Sequence, residues 1–305
     1  MRTHASLLCW ALAAPLFSAT GDSGQVQKLA RCVKQKDMAC IQASLNTPAD
    51  SAPAEYYALA ARGYLLLKRT PDALKSIERA IQLQPGNLDY VMEQGRIYQR
   101  SGDQVSAIRS FLTAAKAQPG SPAIFYELGM SFFFAKENER AIRHFKHSLE
   151  LDPTNDRAEF MMGVVEIWGG HLEKGRIHFQ NALKLQPRNP HYLLHYGVLL
   201  AKLNENDAAL ANMLEARKLD PSNPLTHYQI GKRYRQAGKL AEARRELETA
   251  VHLKPDLSPA FYQLGSTYRQ LGDEPKARAA FEKFQELVHR EKTEPMDPID
   301  ANLEE

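Results

Sequence analysis

Small, large apolar and polar positions recur along most of the chain with a period of 34 residues. Prolines mark the period at Pro85, Pro119, Pro153, Pro187, Pro221 and Pro255. Counted in units that start at about residues 54, 88, 122, 156, 190, 224 and 258, position 8 is small throughout: Ala61, Gly95, Gly129, Gly163, Gly197, Gly231 and Gly265. Position 20 is alanine except for Gly175, and position 27 is small until Phe284 breaks the run. Position 24 is large: Ile77, Phe111, Phe145, Phe179, Met213, Leu247 and Phe281. Small residues at positions 8 and 20 let two helices approach closely, while the large ones fill the space beside them. Such self-similarity is the mark of stacked supersecondary units.

Local signals give each unit two helices. Asn87, Ser121, Asn155, Asn189 and Asn223 stand where a side-chain oxygen can cap the first helix. Pro122, Pro190 and Pro224 follow at the first helical position, where no N–H donor is missed. Gly102, Gly170, Gly238 and Gly272 fall at the turn between the helices. A unit this small cannot bury its own apolar face, so stability accrues by stacking on neighbours.

The ends depart from the period. Residues 1–20 read as a secretory signal: Arg2, an apolar run from Ala5 to Phe17, then Ser18-Ala19-Thr20. The run is too short for a stable membrane-spanning helix. Export to the periplasm or the extracellular space is expected, with an uncleaved anchor as the rival. Residues 21–53 are expected to form a helical hairpin that caps the first unit, with a linker from Thr47 to Pro53. Within the hairpin Cys32 and Cys40 either bridge, as exported chains favour, or pack as free thiols. Residues 291–305 form an acidic tail with Glu294, Asp297, Asp300, Glu304 and Glu305, whose composition predicts no packed structure.

The pattern resembles the tetratricopeptide repeat, in which an aromatic residue, Leu-Gly, Tyr, Ala, Phe and Pro recur in that order. Phe261, Leu264-Gly265, Tyr268, Ala277 and Phe281 carry it most fully, and seven consecutive units over about residues 54–288 follow it. The resemblance implies an all-α fold, a right-handed α-solenoid superhelix of helix–turn–helix repeats spanning residues 54–290. It also implies that one face of the first helices lines a concave groove that holds a protein or peptide.

At 100° per residue, positions 4, 7, 8 and 11 of a first helix face the stack, and positions 2, 5, 9, 12 and 13 cluster roughly 140° away. Carried onto that second face, the groove is apolar in its middle: Tyr126, Met130, Phe133 and Phe134, then Phe160, Val164, Ile167 and Trp168, then Leu194 and Val198. Towards its ends it is basic, with Arg62, Arg96 and Arg100 on one side and Lys202, Lys232, Arg235 and Arg269 on the other. Aromatic and Met side chains anchor protein interfaces, and Arg pairs with carboxylates. The implied partner is a protein or peptide that is apolar with acidic flanks. The competing expectation is that these side chains pack on one another as an extra strip of core.

Other features change the picture less. Glu159 and Glu166 stand where bulky apolar residues are expected, and are read as paired with nearby Arg or His. His191 and His195, four apart, are read as surface residues rather than metal ligands, because no third ligand is placed. No phosphate-cradling loop, nucleophile elbow or paired-cysteine motif is present. No enzyme activity, cofactor or metal is therefore expected. A net charge of +3 makes no demand for nucleic acid. The alternatives to a binding adaptor are a structural subunit of an envelope assembly and an accessory subunit that presents substrate to an enzyme.

Overall fold

The computed structural model describes residues 23–45 and 52–293. The expected leader, most of the expected linker and the residues from 294 onward lie outside the described residues. Every regular element among the described residues is an α-helix. The chain divides into two compact units between Tyr90 and Val91.

In the first unit α1 (Ser23–Gln35) and α2 (Met38–Leu45) pack against α3 (Ala54–Leu66), which pairs with α4 (Thr70–Leu83). Val26, Leu29, Ile41, Leu45, Tyr56 and Ala60 form its buried core. The Tyr56 hydroxyl donates to the Ser44 carbonyl at 3.1 Å. Cys32 and Cys40 are joined in a disulfide, with Cα atoms 5.6 Å apart. In the chain-entropy picture, closing so short a loop contributes about 2–3 kcal/mol.

From Leu88 onward, helices of 13 and 14 residues alternate: α5 (Leu88–Arg100), α6 (Gln104–Ala117), α7 (Pro122–Phe134), α8 (Asn138–Leu151), α9 (Asp156–Trp168), α10 (Leu172–Leu185), α11 (Pro190–Lys202), α12 (Asn206–Leu219), α13 (Pro224–Gln236), α14 (Leu240–Leu253) and α15 (Ser258–Gln270). The last, α16 (Glu274–Thr293), is longer. In the second unit each second helix also packs on the next first helix: α6 on α7, α8 on α9, and so on to α14 on α15.

The alternation of small and large residues has a direct cause. A Cβ placed on Gly129 would lie 2.5 Å from the Phe145 ring, and one on Gly163 would lie 2.4 Å from Phe179. Gly231 stands in the same relation to Leu247. In the six units with glycine at position 8, the large residue of the second helix thus occupies the space that a side chain there would need. Gly175 is a local variant: a Cβ there would meet Ile167 at 2.5 Å, so this pair of helices requires glycine where the others accept alanine.

Caps and turns follow the sequence with two corrections. Asn155, Asn189 and Asn223 accept backbone N–H groups of the first turn, Asn155 from Ala158 at 3.1 Å. Ser121 makes no such bond, and Pro122 alone pre-sets the start of α7. The turn position takes a left-handed backbone in every unit. Gly102, Gly170, Gly238 and Gly272 adopt it, but so do Lys68, Lys136 and Asn204, with φ of 57°, 61° and 65°.

Candidate partner-binding groove

The ten apolar groove residues lie on the first helices α7, α9 and α11 of the second unit, and they divide by exposure. Tyr126, Phe133, Phe160, Val164 and Leu194 are buried by the chain itself. Met130, Phe134, Ile167 and Val198 are half-buried, and Trp168 is 42% exposed. Side chains at position 5 therefore serve as packing between successive first helices, as do Val164 at position 9 and Phe133 at position 12. Phe134 and Trp168 at position 13, with Ile167 at position 12, keep surface open at the carboxyl ends of these helices.

Ring contacts explain the division. Phe160 stacks on Phe179 at 5.2 Å and on Tyr192 at 4.7 Å, and His191 and His195 close over it at 4.9 and 5.3 Å. Phe133 is covered by Phe134 at 5.7 Å and by the edge of Trp168 at 5.1 Å. Tyr126 lies under the Arg157 guanidinium, 4.5 Å from its ring centre. Offset and edge-to-face rings of this kind add to the energy of burial.

His191 and His195 are consequently half-buried against Phe160 rather than free surface residues. Burial pushes the His191 pKa down to about 4, and burial together with the neighbouring His191 pushes that of His195 to about 3. Both rings are neutral near pH 7 and act as packing groups. Nearby, the Tyr192 hydroxyl donates to Asp156 at 2.7 Å.

The basic flanks are not equivalent. Arg62 belongs to the first unit, on α3. Arg96 is already engaged, its Nε 2.9 Å from Glu127, with Glu93 at 4.0 Å. Arg100 is exposed on α5. Arg269 is exposed with its guanidinium over the Phe281 ring at 5.5 Å. Arg235 donates to the neutral amide of Gln263 at 2.8 Å. Lys202, Lys232 and Arg235 have no carboxylate within ion-pair reach among the described residues.

The misplaced carboxylates are satisfied within the fold. Glu159 meets His178 at 2.7 Å and Asn181 at 3.3 Å, and Glu166 meets His171 at 2.8 Å. Glu159 thus pairs across the two helices of its unit, and Glu166 pairs with the turn between them.

Two features were not singled out from sequence. Phe125, Phe132, Arg140, Arg143, His144 and His147 surround a cleft of about 360 Å³ on the α7–α8 pair. His227 lies between two acceptors, with Nδ1 2.7 Å from Glu246 and Nε2 3.0 Å from the Pro221 carbonyl. Arg217 also bonds to Glu246. His227 and Glu246 are 19 residues apart, on the two helices of one unit, and local spacing gives no hint of their meeting.

The helix pairs, the close approach at position 8 and the left-handed turn define a class, a stack of helix–turn–helix repeats. The chain belongs to the tetratricopeptide-repeat family, whose repeat model matches residues 59–122, 92–156, 169–224 and 228–288. No curated protein matches the chain. Among solved structures it is similar to the Cut9 and Hcn1 hetero-tetramer of the APC/C, with a TM-score of 0.64 and 19% identity over 78% of this chain. The match covers 48% of that chain, so the present chain spans about half the length of that relative. A tetratricopeptide repeat protein from Parabacteroides merdae ATCC 43184 is similar at a TM-score of 0.61 and 16% identity, over 82% of this chain and 97% of the other. MamA from Desulfovibrio magneticus RS-1 gives 0.50 and 20%, over 57% and 97%. At these identities the likeness is one of fold.

Proposed function

We propose that the chain is a non-enzymatic scaffold that holds a protein or peptide partner along the open edge of its first helices, with Phe134, Ile167 and Trp168 as apolar anchors. The observation that carries this reading is Trp168, a large aromatic side chain left 42% exposed while its neighbour Phe133 is buried. Aromatic side chains on a rigid, partly desolvated strip are the usual energetic centres of interfaces. Met130 and Val198 extend the strip, and Lys202, Lys232 and Arg235 give it a basic end suited to acidic flanks in the partner. Tetratricopeptide-repeat proteins bind protein partners, which supports the class of function. The leader supports a place outside the cytoplasm, and the Cys32–Cys40 disulfide suits an oxidising compartment.

The test is partner capture by purified protein with Phe134→Ala and Trp168→Ala, each checked for unchanged helical content. Loss of capture with the helices intact is the expected result. Capture at the unaltered level would remove this edge as the site.

A further inference from the structure

Three cations of the second unit meet without a counter-charge. Lys202 ends α11, and Lys232 and Arg235 lie on the neighbouring first helix α13, at positions of the same open face. Burial, then Arg233, Lys202 and Arg235 together, hold the Lys232 ammonium below its ordinary pKa. Beside them the Arg233 Nε is buried with no hydrogen-bond partner. Three other cations of the unit are matched, Arg96 by Glu127, Arg176 by Glu205 and Arg217 by Glu246. Like charges crowded on a half-buried face cost stability unless an anion joins them.

The chain carries such an anion. Residues 294–305, outside the described residues, contain Glu294, Asp297, Asp300, Glu304 and Glu305 and no basic residue. Met296, Ile299 and Leu303 are interleaved with them. This is the chemistry inferred for the partner, apolar side chains among carboxylates. α16 runs antiparallel to α15 and is about 30 Å long, so the segment leaves at the end opposite to Lys202 and Arg235. With neighbouring helix axes about 10 Å apart and about 40 Å of extended chain, only its later residues, from Asp300 to Glu305, come within reach of the cluster. α16, from which the segment leaves, packs on α15, and α15 packs on α13.

We propose that the end of residues 294–305 docks in cis on Lys202, Lys232 and Arg235, where the carboxylates of Asp300, Glu304 and Glu305 neutralise the cluster. The segment then competes with the partner for the basic end of the strip. This rests on the proposed groove for its location, but not on any particular partner.

The experiment is zero-length carbodiimide crosslinking of the full chain at low concentration, read by peptide mass spectrometry, with an equal mixture of light and heavy chains. Crosslinks from the tail carboxylates to Lys202 and Lys232, within one isotope type, are expected. Their yield should fall several-fold as salt rises from 0.1 M to 1 M, because the Debye length contracts from about 10 Å to about 3 Å. A full-length variant with E294Q, D297N, D300N, E304Q and E305Q should capture partner more tightly. Crosslinks spread evenly over exposed lysines such as Lys146 would overturn the proposal, as would links only between light and heavy chains. If Lys202 and Lys232 link to the tail while Trp168→Ala leaves capture unchanged, the docking stands and the proposed groove function fails. If the tail does not link while Trp168→Ala abolishes capture, the reverse holds.

Discussion

Trp168 lies edge-on to Phe133, ring centres 5.1 Å apart, yet Phe133 is 5% exposed and Trp168 is 42% exposed. One ring of the pair belongs to the core and the other forms its lid. Phe133→Ala should therefore lower stability by about 3 kcal/mol or more, as for other buried Phe truncations. Trp168→Ala should cost clearly less and fall mainly on binding. Denaturant midpoints of the two variants check this. Equal losses would mean that Trp168 is a structural residue.

The packing of small against large makes an asymmetric prediction. Gly129→Ala places a methyl 2.5 Å from the fully buried Phe145 ring and should destabilise by about 1–3 kcal/mol. Adding Phe145→Leu, which makes room, should recover part of the loss. If Gly129→Ala melts with the parent protein, the close approach is not needed.

The turns between paired helices offer a test of backbone strain. Lys136 has φ 61° where other units carry glycine, so Lys136→Gly should raise stability by about 0.5–1 kcal/mol. Gly238→Ala should lower it by about 1 kcal/mol, a conformational cost alone, since no atom lies within 4 Å of the added Cβ. Thermal melts of both variants should move in opposite directions.

Two histidine sites respond oppositely to pH. Burial alone would lower the His227 pKa, but its hydrogen bonds to Glu246 and the Pro221 carbonyl raise it above 6.5. Burial alone would raise the Glu246 pKa, but His227 and Arg217 hold it below 4.5. The contribution of His227 is full below pH 6.5 and fades as pH rises through its folded value. That of Glu246 is full above pH 4.5 and fades as pH falls. The pair is thus strongest between pH 4.5 and 6.5. His191 and His195, held down to about 4 and about 3, are stabilising while neutral and lose that contribution as pH falls below 6.5. His195→Leu should flatten the acid limb of the stability profile, and His227→Gln should cost more near pH 6 than near pH 9. Urea denaturation from about pH 3 to about pH 9 checks both, and profiles parallel to the parent protein would contradict them.

How much was legible in sequence depended on whether a feature repeats. The period gave the helix pairs and the reason for glycine at position 8, because the same contact, Gly129 on Phe145 or Gly163 on Phe179, recurs in phase. The left-handed turn was read only where it is glycine; Lys136 and Asn204 adopt it without that signal. Winding a single helix placed Tyr126 and Phe160 on the groove face. It could not show that Arg157 covers Tyr126, or that Tyr192 and His191 from the next unit cover Phe160. Burial there depends on how close neighbouring first helices come, a tertiary distance that helical periodicity does not contain. For the same reason Arg96 reads as a free groove cation in sequence but is paired with Glu127 in the fold.

The measurement that bears most directly on the central claim is site-specific photocrosslinking in cells. A photoreactive residue is placed at position 168, on the open edge, and for comparison at position 177, where Ile177 is 57% exposed on the second helix α10. A discrete protein adduct from position 168 that is missing from position 177 is the predicted result. The same adducts from both positions, or none from 168 in a folded protein, would contradict a binding edge built on Trp168.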